Sequence, residues 1–355
     1  MPGLAPWFPQ TDVRRFYEPE TPPPGGEPSN ELGAWPVEHV SAAIAAFDRD
    51  AFPPLPDAPP ILAQLMQNAR LLIDGGETRL AMNLLRNALM RDSTHPEALR
   101  LMAECLKHGH RLEDAAKCAR ALCQVRPTEA GSWFLLGGIL YDLERDEDAR
   151  RCFEECLRLA KDECPFLFDV YKLLGNANVR SADFNAAEEC YNRAFAVNPR
   201  SDALMVNYGT LEIQRDDLEA AVGRFREAVE LNGRNDKAWV GLALVHRHKG
   251  DAALAWANLE RAMELCPVNR TALRLALDWA GQESGQQGSF DAAIRFLQNY
   301  LAVESADAEM SFALAKIFAF DRRFRDARLE IERTLALEPL LPGAAELLVA
   351  LEQSR

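Results

Sequence analysis

The chain has 355 residues, which exceeds one ordinary globular domain and predicts either two domains or an array of repeats. Its formal net charge of −14 excludes general binding to nucleic acid or anionic lipid, because both need an excess of lysine and arginine. No stretch approaches the ~18 apolar residues of a membrane-spanning helix, and the start lacks a secretory signal, so we expect a cytoplasmic protein without membrane insertion.

Residues 1–60 differ in composition from the rest of the chain. They contain 14 of the 21 prolines, and nine acidic residues against three arginines give them a charge of −6. Such a density of proline favours extended or disordered chain, apart from one short amphipathic helix between Val37 and Phe47. We therefore expect a proline-rich, acidic, largely disordered segment, residues 1–60, and a helical part, residues 61–355. For residues 1–36 two interpretations stay open: a mobile tail, or a strap that docks on the protein's own body or on a partner.

A repeat of about 34 residues runs through the helical part. Its clearest sign is an alanine that returns at a constant interval, except that two of the intervals are longer by four positions. Four residues after the alanine stands a large apolar residue in seven of the eight repeats. Twelve residues before it stands glycine or alanine in the seven repeats other than the seventh, where the added residues make the register uncertain. The recurring alanines are Ala81, Ala115, Ala149, Ala187, Ala221, Ala255, Ala293 and Ala327.

This spacing predicts pairs of antiparallel helices. Two helices pack closely only where one presents a small residue and the other an alanine at the crossing, because the distance between the axes follows side-chain size. The large residue one turn later fills the space between successive hairpins. A single hairpin cannot bury its apolar face alone, so the hairpins must stack.

The repeated residues resemble the tetratricopeptide repeat over roughly residues 62–340. One of the best units contains Trp133, Leu136, Gly137, Ala149 and Phe153. The resemblance implies an all-α fold, a right-handed superhelical solenoid of about eight helix-turn-helix repeats, with a C-terminal capping helix over residues 343–351. Additions of four residues near 161–168 and within 281–290 should lengthen two loops.

In such a solenoid the first helix of each repeat lines a concave groove. The register then gives the side chains that face this groove in repeats three to six. The candidate groove residues are Phe134, Tyr141, Lys172, Asn176, Arg180, Asn207, Thr210, Lys237, Leu244 and Arg247. We predict that they bind a peptide or protein segment, with Phe134 and Tyr141 placed to receive an apolar side chain.

Four of these residues also resemble a dicarboxylate clamp, with which related chaperone-binding repeats hold the carboxyl end of a peptide. Lys172, Asn176, Asn207 and Lys237 follow one another along the sequence at the offsets of that clamp. Ammonium and amide groups that converge on a carboxylate form charge-assisted hydrogen bonds. The alternative, ordinary polarity of a groove, stays open because Gly241 stands where the clamp has its fifth member, an arginine.

No pattern of catalysis or cofactor binding is recognisable. The sequence contains no GxSxG, Walker, HExxH or glycine-rich dinucleotide motif, so we expect neither an enzyme nor a bound cofactor. The eight cysteines include no CxxC pair and mostly fall on apolar helix stripes, which predicts reduced core residues and no zinc site. The run from His246 to Lys249 closes a helix, where positive charge suits the helix dipole.

The sequence thus predicts a non-enzymatic interaction scaffold or adaptor for a protein or peptide partner. Two alternatives stay open. In the first, the proline-rich segment or an array end docks into a neighbouring copy, and the chain builds a homo-oligomer. In the second, the chain is a regulatory or chaperone subunit of a separately encoded enzyme or secretion complex.

Overall fold

The structure, a computed structural model, describes residues 62–160, 164–282 and 289–353. Within these residues the chain forms seventeen α-helices and no β-strand, which confirms the all-α fold. The expected helix between Val37 and Phe47 lies outside them, as does the whole segment 1–60. The helices are α1 (Leu62–Asp74), α2 (Thr78–Arg91), α3 (Pro96–His108), α4 (Leu112–Val125), α5 (Ala130–Asp142), α6 (Asp146–Leu159), α7 (Leu167–Arg180), α8 (Phe184–Val197), α9 (Asp202–Gln214), α10 (Leu218–Leu231), α11 (Asp236–His248), α12 (Ala252–Leu265), α13 (Arg270–Gln282), α14 (Ser289–Val303), α15 (Ala308–Phe320), α16 (Phe324–Leu337) and α17 (Ala344–Gln353).

The helices pack in consecutive pairs, from α1 with α2 to α15 with α16, and α17 packs against α16. They fall into two compact units, with the boundary in the sequence between Pro199 and Arg200. The N-terminal unit contains α1 to α8, and the C-terminal unit contains α9 to α17. None of the described helices combines the length and the apolar character that crossing a membrane requires.

Polar residues just before several helices explain where those helices begin. The Oδ1 atom of Asp217 accepts a hydrogen bond from the Ala220 N–H at 2.9 Å, at the start of α10. Asn235 Oδ1 accepts one from the Ala238 N–H at 3.0 Å, at the start of α11. The first turn of a helix leaves backbone N–H groups without a partner, and satisfying one of them stabilises the helix by about 1 kcal/mol.

Glycines in three first helices make room for aromatic rings from the second helices. The pairs are Gly137 with Phe153, Gly175 with Tyr191 and Gly209 with Phe225. A Cβ atom on the glycine would lie only 2.7, 2.3 and 2.7 Å, respectively, from the ring. Where the first helix carries alanine instead, as at Ala243, the second helix carries a smaller side chain, here Leu259. The small residue of the repeat is therefore matched in size to its partner across the hairpin.

In later repeats, the second helix of the preceding hairpin packs against one face of the first helix. Among the described residues α1 has no preceding hairpin, and this face of α1 is polar. Gln64 and Asn68 are exposed on this face, whereas the equivalent residues of α11, Ala238 and Leu242, are buried. The reason is that α10, the second helix of the preceding hairpin, packs against α11. In the first described hairpin, the amides Gln64 and Asn68 thus stand at positions that are apolar in α11.

Most of the cysteines are buried. Five are buried and three are partly exposed. Burial raises the pKa of Cys118 and of Cys152 to about 12, so both remain protonated thiols at neutral pH. Within the described residues, no group of three or more His, Cys, Asp and Glu side chains could hold a metal ion. The buried cysteines are small apolar core residues.

We expect these buried thiols to resist modification in the folded protein. At pH 8, Cys118 and Cys152 should react with iodoacetamide about a thousandfold more slowly than a free thiol, because only the thiolate is nucleophilic. Cys164 and Cys266, which are partly exposed, should be alkylated first. Mass spectrometry after timed exposure measures the extent of alkylation at each cysteine. Labelling in denaturant, where all eight thiols are reactive, gives the reference rate. Rapid labelling of Cys118 in the folded protein would contradict this assignment.

Candidate functional site

The ten candidate groove residues all lie on first helices, and they divide between the two units. Five belong to the N-terminal unit and five to the C-terminal unit, so each half is described by itself. We call the surface of the first helices that carries them the first-helix face of each unit. On α5 and α7 these residues are Phe134, Tyr141, Lys172, Asn176 and Arg180, and on α9 and α11 they are Asn207, Thr210, Lys237, Leu244 and Arg247.

In the N-terminal unit, Arg180 joins two consecutive repeats. Its guanidinium carbon lies 3.7 Å from the centre of the Tyr141 ring, and Nη2 donates to the Tyr141 carbonyl at 3.2 Å. The same Nη2 lies 2.5 Å from Oδ1 of Asp146, at the start of α6. A guanidinium stacked on an aromatic ring and paired with a carboxylate is held in one orientation.

Asn176 is fixed in the same cluster. The Tyr191 hydroxyl donates to Asn176 Oδ1 at 2.8 Å, and Asn176 also forms a hydrogen bond with Tyr141. Burial raises the pKa of Tyr141, against the opposing effects of the Arg180 charge and the bond from Asn176. Burial likewise raises the pKa of the Asp146 carboxyl, with Arg180 opposing it. The side chains of Tyr141, Asn176 and Arg180 therefore form one connected cluster, which we call the Arg180 cluster.

Lys172 and Phe134 have neighbours that bear on their predicted roles. Lys172 Nζ lies 2.6 Å from Asp169 Oδ1 and 5.1 Å from the centre of the Phe168 ring. The Phe134 ring stacks on Phe166, with centroids 5.0 Å apart and planes 6° from parallel. Phe166 comes from the longer loop that the sequence predicts before α7, and its ring already covers the side chain expected to receive an apolar ligand group.

In the C-terminal unit the five candidates differ in exposure. Lys237 is exposed, whereas the Leu244 side chain is only 1% exposed. Thr210 Oγ1 donates to the Val206 carbonyl at 3.0 Å, and Asn207 is partly buried. The first-helix face of this unit is thus polar at Lys237 and Thr210, while Leu244 belongs to its core.

Arg247 connects α11 with α13. Its guanidinium carbon lies 5.2 Å from the centre of the Trp279 ring, and Nη2 donates to Gln282 Oε1 at 3.1 Å. Sequence reasoning did not single out Trp279, Gln282, Phe166 or Asp146. The periodicity gave no signal for the pair of Asp146 and Arg180: Asp146 stands three residues before the alanine of its repeat, and Arg180 stands seven residues before the alanine of the next.

The position of the missing clamp arginine is sterically closed. A Cβ atom on Gly241 would lie 2.3 Å from Cε1 and 2.5 Å from Cδ1 of Phe225. The same ring lies against Gly209, where a Cβ atom would come within 2.7 Å of it. Gly241 is therefore required by the packing of Phe225, which explains the departure from the clamp pattern.

Comparison with known proteins agrees with this arrangement of hairpins. Residues 128–200 match one family model of the tetratricopeptide repeat, and residues 172–231 and 207–269 match a second one. Residues 128–269 of this chain are thus tetratricopeptide repeats. The packing of the described residues gives this repeat a physical basis. The helices pack in consecutive pairs, the alanines of the second helices are buried, and the small residues of the first helices are matched in size to their partners.

Two curated tetratricopeptide repeat proteins resemble part of the chain. It is 23% identical over 124 residues to tetratricopeptide repeat-containing protein trd-1 of Caenorhabditis elegans, which covers 35% of this chain and 16% of that protein. It is 29% identical over 147 residues to tetratricopeptide repeat protein 21A of Homo sapiens, covering 41% of this chain and 10% of that protein. The chain thus corresponds to a small part of each relative.

Solved structures share the fold. Yeast Tom70 superposes with a TM-score of 0.61 at 14% identity, over 89% of this chain and 69% of that one. PilW, a widely conserved type IV pilus biogenesis factor, superposes with a TM-score of 0.54 at 17% identity, over 61% of this chain and 99% of that one. At these identities the likeness concerns the fold alone.

Proposed function

We propose that this tetratricopeptide repeat protein is a non-enzymatic scaffold or adaptor that binds peptide or protein segments on its first-helix faces. The Arg180 cluster carries the proposal. Its side chains are held by one another and by Asp146 and Tyr191. Side chains that are already ordered lose little entropy when a ligand arrives, which favours affinity. A stack of repeats also offers an extended surface, which suits an extended ligand.

The chemistry of the N-terminal unit suits polar groups of a peptide. Lys172 supplies an ammonium group on the same helix as Asn176 and Arg180. Asp169, its neighbour at 2.6 Å, has a side chain that is 46% exposed to solvent. The Lys172 side chain is 23% exposed, so the pair is partly open to solvent. Such a pair contributes little stability, and a ligand carboxylate can share the ammonium at small cost. Lys172 is therefore the group of this face that we assign to ligand contact.

The C-terminal unit offers a second ammonium group at Lys237. Lys237 is exposed in the first turn of α11. Three further residues of the face, Thr210, Asn207 and Arg247, carry hydrogen-bonding groups on α9 and α11. This set favours a ligand with carboxylate or carbonyl oxygens, whether at its carboxyl end or on acidic side chains.

The proposal assigns binding, and no bond-making chemistry, to the chain. Burial raises the pKa values of Cys105, Cys118 and Cys152, which argues against a cysteine nucleophile at these positions. The Tyr141 and Asp146 pKa values are raised as well, but each of these groups is engaged by Arg180. The packing between repeats explains these raised pKa values, so they do not indicate a catalytic site.

Binding can be tested with a defined peptide ligand. A displayed library of peptides with free carboxyl ends selects a ligand, and fluorescence anisotropy then gives its Kd for the full chain. We expect Lys172→Ala or Lys237→Ala to raise this Kd by about tenfold, the loss of one charged hydrogen bond. Amidation of the peptide carboxyl end shows whether that group is the one recognised.

Lys117→Ala is the matched control. Lys117 lies on the second helix α4, where its Nζ is 3.1 Å from Asp114 Oδ1. The substitution removes the same charge from a different face of the protein. The Kd of this variant for the peptide should therefore equal that of the unchanged chain. If all three variants bind the peptide equally well, the first-helix faces are not the binding site.

A further inference from the structure

Phe134, on the first-helix face of the N-terminal unit, is stacked by the ring of Phe166. Phe134 belongs to α5, and Phe166 is the residue immediately before α7. The two ring centroids lie 5.0 Å apart, with planes 6° from parallel. Both residues are partly exposed. A ligand that approaches this face of the unit therefore has access to the stacked rings.

Gly131 leaves room for the Phe166 ring beside α5. Gly131 precedes Phe134 by three residues on this helix. A Cβ atom on Gly131 would lie 3.8 Å from Cε1 and 3.9 Å from Cζ of the Phe166 ring, which is ordinary van der Waals contact. The glycine and the Phe134 ring thus border a place that holds one planar ring, and we call this place the aromatic subsite.

An aromatic residue stands at an unusual position in Phe166. The corresponding residues of four other first helices accept a hydrogen bond from a backbone N–H with their side chains, which stabilises the start of the helix. They are His95, Ser201, Asn235 and Asp307. Phe166 carries no side-chain acceptor, and no such bond forms at the start of α7. Its presence there is explained by the contact of its ring with Phe134.

The backbone of Phe166 is held independently of its ring. The Phe166 carbonyl accepts a hydrogen bond from the Val170 N–H at 2.9 Å, and the Leu167 N–H donates to the Cys164 carbonyl at 3.2 Å. Rotation about the Cα–Cβ bond to another staggered position would take the ring away from Phe134 without breaking either bond. Stacking of two rings shifts an equilibrium by only about two- to tenfold beyond the area buried, so another ring can replace that of Phe166.

We propose that the aromatic subsite binds an aromatic side chain of a partner peptide, and that Phe166 occupies it as an internal competitor. The parallel contact with Phe134 is available only to a planar ring, so phenylalanine, tyrosine and tryptophan replace Phe166 better than aliphatic side chains do. Lys172 lies on α7, six residues after Phe166. The inference rests on the proposed function, because it adds an aromatic side chain to the charged group that Lys172 contacts on the same ligand.

Self-occupation of the subsite regulates binding in two ways. Only molecules whose Phe166 ring has left can take up the ring of a ligand, so the apparent Kd is raised by the fraction that is closed. Ligands that cannot stack on Phe134 gain nothing that offsets the lost contact with Phe166. The chain therefore discriminates against aliphatic ligands through a contact of its own.

A fluorinated amino acid derivative tests the subsite directly. The N-acetyl amide of para-fluorophenylalanine carries one aromatic ring, and a titration with the full chain followed by fluorine NMR gives its Kd. Phe166→Ala is expected to lower this Kd by about fivefold, because the competing ring is removed. Phe134→Ala in the same chain should abolish the gain, because the ligand then has no ring to stack on. The corresponding derivative of trifluoroleucine should gain less than about twofold.

Phe324→Ala is the matched control. Phe324 is the first residue of α16 in the C-terminal unit and is 40% exposed. Its substitution removes the same ring from the start of another helix, so the Kd of the aromatic derivative should equal that of the unchanged chain.

Phe166→Leu keeps an apolar side chain without a planar ring, and it should lower the Kd of the aromatic derivative by about threefold. Circular dichroism shows whether each variant folds, and Phe166→Leu alone decides the question if Phe166→Ala loses helicity. An unchanged Kd in the folded variants would overturn the proposal. A higher Kd would also overturn it, because Phe166 would then be part of the surface that binds the ligand.

This experiment is independent of the charged contact at Lys172. The derivative has no carboxylate, so its binding does not need the ammonium group. An unchanged Kd in the Phe166 variants thus contradicts the aromatic subsite alone, whereas an unchanged peptide Kd in Lys172→Ala contradicts the proposed function.

Discussion

Replacing Gly241 by arginine is expected to destabilise the C-terminal unit by about 3 kcal/mol, although arginine is the residue that would complete the clamp pattern. The Cβ atom would lie 2.3 Å from the Phe225 ring, which is 0% exposed. The ring cannot retreat, because Gly209 lies against it as well. Relief therefore requires the first helix α11 to move away from α10, at the expense of the packing between two repeats.

Gly223→Arg is the control for this substitution. Gly223 lies in α10 of the same unit, and nothing stands within 4 Å of its Cβ position. Arginine there should be neutral or stabilise the helix by up to about 1 kcal/mol, since glycine is a poor helix former. Urea denaturation followed by circular dichroism at 222 nm measures both variants. Equal midpoints for the two would mean that the ring finds room elsewhere.

Removing the Phe225 ring should destabilise the protein more than Gly241→Arg does. Phe225→Ala is expected to lower the free energy of unfolding by about 4 kcal/mol, because it empties a fully buried site between two hairpins. Its neighbours Gly209 and Gly241 have no side chains to fill the gap. The same substitution should reverse the effect of Gly209→Ala, which costs about 2 kcal/mol with the ring present and becomes neutral or favourable without it.

A double-mutant cycle over these two positions measures that coupling. Denaturation of Gly209→Ala, Phe225→Ala and the double variant should give an interaction energy of about 2 kcal/mol. Gly223→Ala, which meets open space, should have the same small effect with and without the ring. If Gly209→Ala costs the same in both backgrounds, the close contact with Phe225 is not what requires glycine.

The sequence predicted the fold because the fold is periodic. Alanines such as Ala115 and Ala149 recur at a constant spacing because each hairpin has one place where its two helices cross. The structure confirms that these alanines are buried. The glycines could be placed for the same reason. Their pairing with aromatic rings was also visible, since Phe153 follows Gly137 at the distance at which Tyr191 follows Gly175.

The candidate site was less predictable, because its decisive contacts are not periodic. Phe166 comes from an added loop, and the path of a loop cannot be derived from the repeat that it interrupts. The register places Leu244 on the first-helix face, but burial depends on every neighbour, and the side chain lies in the core. The register alone did not explain why Gly241 replaces an arginine, because the orientation of the Phe225 ring has no signature in the sequence.

The amides of α1 have a consequence for copies of the chain. An array of like hairpins presents at each end a surface similar to those it buries inside, so copies could join head to tail into a fibre. Gln64 and Asn68 oppose this, because docking another hairpin there would strip water from two amides without replacing their hydrogen bonds. We therefore expect these two polar side chains to disfavour the docking of a further hairpin against this face of α1.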